Sequence, residues 1–307
     1  MNVIDALLSS DPVIERLTKK YLLKQNSAYI NQGYIKRYLG LYDAVKHQWG
    51  NGVYGPKWIS THYTMLELRY MEIDPKNPVY QDALNTLLDH EWNSSTMYNK
   101  SFHIDMCIAG MLLSMVCYGK KQDLRVHEII DYILEREMSD GGWNCSWDRK
   151  PTPKISSVHT TLSILEGLRD YDQNGYTYRL NEVRIAMLKG IEVLLSRNLY
   201  QIHGKKVPIH DKMTKAFYPP RWKYDILRVL EFLASVSYPD SLEMNDAINL
   251  LTSQLKGPFM PKGSQISGLV HFQLEEGRLG MFNTLRALKV LQYYRYPLYE
   301  KLIGLEV

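Results

Sequence analysis

GGWNCSWDRKPTPKISSVHTTLSILEGL, residues 141–168, sets a turn and a helix end to end. Its first half, with two glycines, two tryptophans and two prolines, suits neither helix nor strand, whereas SSVHTTLSILEGL brings apolar residues round at helical spacing. The two glycines reach backbone conformations that other residues resist, and the Trp143 ring can pack the turn between helical layers, so GGW reads as structural. Cys145 is not explained that way. It stands 14 residues before His159, and the pair marks either a metal site or a tight corner.

Working outward, the same alternation runs through the chain. YTMLELRYM, MCIAGMLLSM, TLSILEGL, DILRVLEFL and TLRALKVL are short apolar helical segments. Between them lie charged, amphipathic ones: VYQDALNTLLDHEW, LRVHEIIDYILERE, VRIAMLKGIEVLLSR and MNDAINLLTSQL. Strand signals are almost absent, so the fold class is all-α, a series of hairpins with one apolar and one charged member each. Burying the apolar members inward, five or six hairpins close into a double-layered (α/α) toroid whose inner helices gather their N-termini at one mouth; an open solenoid is the other topology that repetition permits. Each joint carries an aromatic turn, beginning at Trp49, Trp92, Gly141, Phe217 and Leu274. Aligning the helix starts puts His62, His103, His159, Tyr224 and Asn283 in register, at separations of 41, 56, 65 and 59 residues. Residues 1–307 read as one domain, with N-terminal helices over 1–40, hairpin repeats over 41–295 and a tail over 296–307. The irregular NLYQIHGKKVPIHDKMTKAFYPP reads as a loop over the mouth.

Composition narrows the function. Lys+Arg 37 against Asp+Glu 33 leaves +4 without a run of like charges, which gives nucleic acid no footprint. The longest apolar stretch, MCIAGMLLSMVCYG, has 14 residues, short for a membrane span. Three cysteines make no disulfide framework, and MNVIDALLSSDPVIERL reads as a capped helix start rather than a leader, so the expectation is a reduced, cytoplasmic protein. Tyr 23 against Phe 6 suits a partly wet, aromatic-lined cavity, or simply half-exposed packing rings.

The DGGW turn after YILEREMS, repeated in weaker form along the chain, resembles the Trp-containing repeats of the terpenoid cyclase and protein prenyltransferase superfamily over roughly residues 40–295. The resemblance implies the toroid. The Asp-x-Asp-Asp acid of class II cyclases does not occur here, which disfavours that chemistry. Prenyltransferase catalytic subunits hold zinc with Asp-x-Cys at one inner helix start and His-Thr at another. HIDMCIAGMLL and VHTTLSILEGL are similar, and imply zinc on Asp105, Cys107 and His159, with a partner chain that nothing in this sequence identifies. Residues two apart point about 200° apart on a helix, so Asp105 and Cys107 can share an ion only if Asp105 precedes the first turn. There it is equally an N-cap, while Cys107 reads as a first-turn thiolate or as a small buried residue. Cys145, at the same end, is the candidate fourth ligand. The diphosphate-binding cations of the family fall here on Asn99 and Phe102, with only Lys100 near, and Arg221, Lys223 or Arg286 would have to replace them.

Other candidates are weighed in the same way. His62 and His103 read as catalytic bases or as hydrogen-bonded helix-start residues. Tyr224 and Asp225, with His210 and Asp211 before them, read as proton-transfer groups or as caps. Trp143, Arg221, Trp222 and Arg286 are the candidate substrate contacts. A zinc-assisted enzyme on a hydrophobic, isoprenoid-like substrate is the leading expectation. A sugar-directed (α/α) barrel using Asp225 with Glu275 or Glu276, or a non-catalytic binding toroid, are the alternatives.

Overall fold

The computed structural model describes residues 2–92, 104–275 and 277–305. Among them are thirteen α-helices: α1 Val3–Leu8, α2 Pro12–Tyr21, α3 Gly33–Leu39, α4 Thr61–Tyr70, α5 Pro78–Glu91, α6 Met106–Tyr118, α7 Arg125–Leu134, α8 Val158–Gln173, α9 Leu180–Leu195, α10 Ile226–Ser235, α11 Asn245–Ser253, α12 Met281–Tyr294 and α13 Tyr296–Ile303. Extended pairing among the described residues is confined to isolated bridges, and the fold class is all-α. The chain divides into two compact units, residues 41–194 and residues 1–40 with 195–307.

Helix starts follow their sequences. Asn77–Pro78 opens α5, with the Asn77 side chain accepting from the Val79 and Tyr80 N–H groups; proline at the first turn lacks a donor that would in any case go unused. Asp11–Pro12 opens α2 in the same way. The Asp11 carboxylate also accepts from the Tyr34 N–H at 3.1 Å, tying α3 to α2. Gly33 crosses that carboxylate at φ +56°, where any Cβ would collide with it.

In the 41–194 unit the expected inner and outer helices are plain. Every residue of Thr61–Leu68 in α4, Ala109–Cys117 in α6 and Thr160–Tyr171 in α8 is buried. The outer helices bury one stripe each, as in Tyr80, Ala83, Leu84, Leu87 and Leu88 of α5 and Val126, Ile129, Ile130 and Ile133 of α7. α6 packs on α4 and, most extensively, on α8. Two glycines allow that approach: a Cβ on Gly110 would lie 2.5 Å from the Ser163 carbonyl oxygen, and one on Gly167 would lie 2.5 Å from that of Gly110. One carboxylate then ties all three inner helices. Asp170 of α8 accepts from Arg69 of α4, Ser114 of α6 and its own neighbour Arg169.

In the other unit α10 and α12 are the buried pair, with α11 against α10 and α13 against α12. Glu231 of α10 receives Arg286 and Lys289 of α12, each at 2.8 Å. α2 packs on α12 and α1 on α13, so the N-terminal helices complete the C-terminal hairpin. Residues 296–303, expected as tail, are helix α13, with Tyr299 and Leu302 buried.

A repeated hydrogen bond corrects the expected register. The Trp49, Trp143 and Met260 N–H groups donate to Thr61, Thr161 and Thr284 Oγ1 at 3.0, 3.1 and 2.9 Å. These threonines are the equivalent positions. His62 follows its threonine by one residue, His159 precedes its own by two and Asn283 by one, so their side chains leave the helices on different faces. Apolar patterning aligned the helices to within a turn, and His62 and His159 do not share a register position.

Candidate functional site

The close approach of α6 and α8 sets their first turns side by side, with the 139–157 loop between them. Cys145 from that loop accepts the Cys107 N–H at 3.3 Å and the Thr160 hydroxyl at 3.3 Å. The neighbouring Cys107 side chain, with the Thr160 hydroxyl and the Cys107 N–H, lowers Cys145 to about 7 against its burial. Cys107 moves the opposite way, above the usual thiol range, because of the Cys145 sulfur beside it, its burial, and the charge of Asp105. The Cys107 N–H and the Thr160 hydroxyl thus favour the thiolate on Cys145.

Asp105 stands at the N-cap position of α6, before the first turn as a shared site requires, and its side chain makes no cap hydrogen bond. His159 is the second residue of α8 and half-buried. Yet among the described residues no three His, Cys, Asp or Glu side chains draw together around a point that could hold a metal ion. Among the described side chains, Asp105, Cys107, His159 and Cys145 do not form such a group. His103, Asn99, Lys100, Phe102 and Glu276 lie outside the described residues.

Beside the sulfurs is a second polar group. His62, fully buried, directs Nδ1 at the Glu91 carboxylate, 2.8 Å from Oε2. Among the described residues its Nε2 has no hydrogen-bond partner; leaving a buried polar atom so costs about 1–3 kcal/mol. Tyr54 and Tyr63 flank the imidazole, with ring centroids 5.3 and 5.0 Å away, and their hydroxyls meet at 3.0 Å. Burial first, then the neighbouring Cys107, Glu91 and Asp105, push Tyr54 up to about 12, against the opposing Tyr63 hydrogen bond. Glu91, Tyr54 and Tyr63 were not legible as site residues: Glu91 closes an outer, charged helix 29 positions from His62 and reads as solvated surface.

Several expected site residues are structural instead. Trp143 is fully buried and donates its indole N–H to the Ile133 carbonyl at 2.8 Å, so it pins the turn and presents no ring to a substrate. Asp225 is the N-cap of α10. It is fully buried and accepts the Arg228 and Phe217 N–H groups at 2.8 and 3.1 Å. Tyr224 is sealed, with its hydroxyl on the Leu199 carbonyl. Arg286 is held by Glu231, the Phe217 carbonyl and Asn283, which leaves it no role as a diphosphate clamp. Glu275 is buried and receives the Phe282 N–H at 2.7 Å. Arg221 is buried in the loop before α10, with φ +50°. Trp222 lies half-buried under the Lys223 ammonium, 4.0 Å from its ring centre. His210 and Asp211 are exposed, and His210 Nδ1 caps a short 3-10 turn through the Lys212 N–H. Sequence could not separate these caps from reactive groups, because a charged residue at a helix start is both until its burial is known.

No family model and no curated protein matches this chain. No helix among the described residues is long and apolar enough to cross a membrane.

Proposed function

We propose that the chain is a prenyltransferase- or cyclase-like (α/α)-toroid enzyme. On this reading it acts on a hydrophobic, isoprenoid-like substrate, with Cys145 as the nucleophilic sulfur at the first turns of α6 and α8. The observation that carries it is the Cys145 sulfur held by two donors from the first turns of α6 and α8, the Cys107 N–H and the Thr160 hydroxyl. A thiolate so held displaces a leaving group such as diphosphate from an electrophilic carbon without a separate base, the C–S bond forming as the C–O bond breaks. Packing of α1 and α2 on α12 and α13 brings the chain's first and last helices together within one unit. The sugar-directed alternative requires a free carboxylate pair, and Asp225 and Glu275 are both engaged by backbone N–H groups.

Alkylation with iodoacetamide tests this. Cys145 should react with a midpoint near about 7, slowing as pH falls below it because protonation removes the nucleophile, while fully buried Cys117 stays silent. Thr160→Val should raise that midpoint by removing one donor to the thiolate. Metal analysis completes the test, since stoichiometric zinc lost in both Cys107→Ala and Cys145→Ala would restore the zinc-assisted form of the reading. A zinc-free protein whose Cys145 reacts no faster than a free cysteine at neutral pH would leave a binding scaffold.

A further inference from the structure

His62 offers a lone pair that no side chain among the described residues uses. Its Nδ1 proton lies on the Glu91 carboxylate, so in the neutral imidazole Nε2 is an acceptor, buried and unpartnered. Around it stand aromatic walls: Tyr54 and Tyr63 against the imidazole, and Trp58 edge-on to Tyr63 at 4.6 Å. In the mutual bond of the Tyr54 and Tyr63 hydroxyls one oxygen is donor and the other acceptor. The accepting tyrosine therefore keeps its own proton, for which the described residues show no acceptor. Tyr54 is half-buried, the most exposed of the three rings around this nitrogen.

We propose that His62, Glu91, Tyr54 and Tyr63 form a binding site for an alcohol hydroxyl on a hydrophobic molecule. The hydroxyl donates to His62 Nε2 and its oxygen accepts the remaining tyrosine proton. Other groups fail one half of the site. An ether or ketone has no proton for Nε2, an ammonium has no lone pair for the tyrosine, and a carboxylate would add a second buried anion beside Glu91. The inference rests on the proposed function only for the isoprenoid chain attached to the hydroxyl.

Binding of two matched pairs to the full chain, at about pH 8 where an ordinary imidazole is neutral, tests it: farnesol against farnesyl methyl ether, and benzyl alcohol against benzyl methyl ether. The alcohol should bind about tenfold more tightly than its ether, the worth of one buried hydrogen bond. His62→Phe should abolish that preference with the far-ultraviolet circular dichroism unchanged. Should that variant misfold, the alcohol-to-ether ratio in the unaltered protein still decides. A preference for benzyl alcohol with neither farnesyl compound bound supports this site and sinks the isoprenoid reading. Farnesol and its ether binding equally well overturn this site and leave the isoprenoid reading standing. If neither alcohol binds, the proposal is overturned and Nε2 serves only a buried water.

Discussion

Asp170→Asn is expected to destabilise the 41–194 unit by about 3–5 kcal/mol, the usual cost of removing one partner of a buried ion pair. Asparagine keeps the shape and the Ser114 contact but removes the charge that Arg69 and Arg169, 13% and 10% exposed at their side chains, share. Because Asp170 joins α4, α6 and α8, the loss falls on all three inner helices together. The pH dependence has a fixed sign. Burial alone would raise this carboxyl, but Arg169, Arg69 and Ser114 outweigh it and hold it below the usual carboxylate range. A carboxyl depressed in the folded state contributes its full stability above the unfolded value of about 3.9 and loses it as pH falls through the folded one. The gap between the original protein and Asp170→Asn in urea unfolding should thus be constant from neutrality down to about pH 5 and close below about pH 4. Asp172→Asn is the control: its partner Arg184 is largely in water, so little change is expected. Equal unfolding midpoints for the two variants would mean that Asp170 is not the tie between the helices.

That carboxylate also shows how far sequence reading reaches. The apolar and charged hairpin members were readable, since their periodicity reports directly which face meets water. Asp170 and Arg169, inside a segment that reads as helix but carries charges on it, gave no sign of being buried, because their partner Arg69 lies 101 positions from Asp170. Asp105, Cys107 and His159 were found through a motif and do sit at inner helix starts. The motif could not say that the Cys107 N–H would meet the Cys145 sulfur. His62 was singled out for a register that the threonine hydrogen bonds correct. Its interest comes instead from Glu91 and an unpartnered nitrogen, facts of packing that no spacing encodes.

Gly110→Val should have a comparable effect, at least about 3 kcal/mol, through overpacking rather than charge. The first new atom would lie 2.5 Å from the Ser163 carbonyl oxygen and 2.7 Å from its carbon, and both belong to backbone that cannot rotate away. Reaching ordinary contact at 3.4 Å requires α6 and α8 to part by roughly 1 Å. The methyl group of an alanine at this position would meet the same atoms. Alanine's better helix propensity, worth about 0.5–1 kcal/mol over glycine, offsets only part of the cost, so Gly110→Ala should lie between the original and Gly110→Val. The consequence reaches the sulfurs. Cys107 stands one turn before Gly110, and Thr160 one turn before Ser163, so parting the helices lengthens one or both of the 3.3 Å contacts that hold Cys145 as a thiolate. The alkylation midpoint of Cys145 should therefore rise in the order original, Gly110→Ala, Gly110→Val, in step with the fall in urea midpoint. Stability lost with the alkylation midpoint unmoved would show that the helix approach and the thiolate are independent, and the close glycine contact would then serve packing alone.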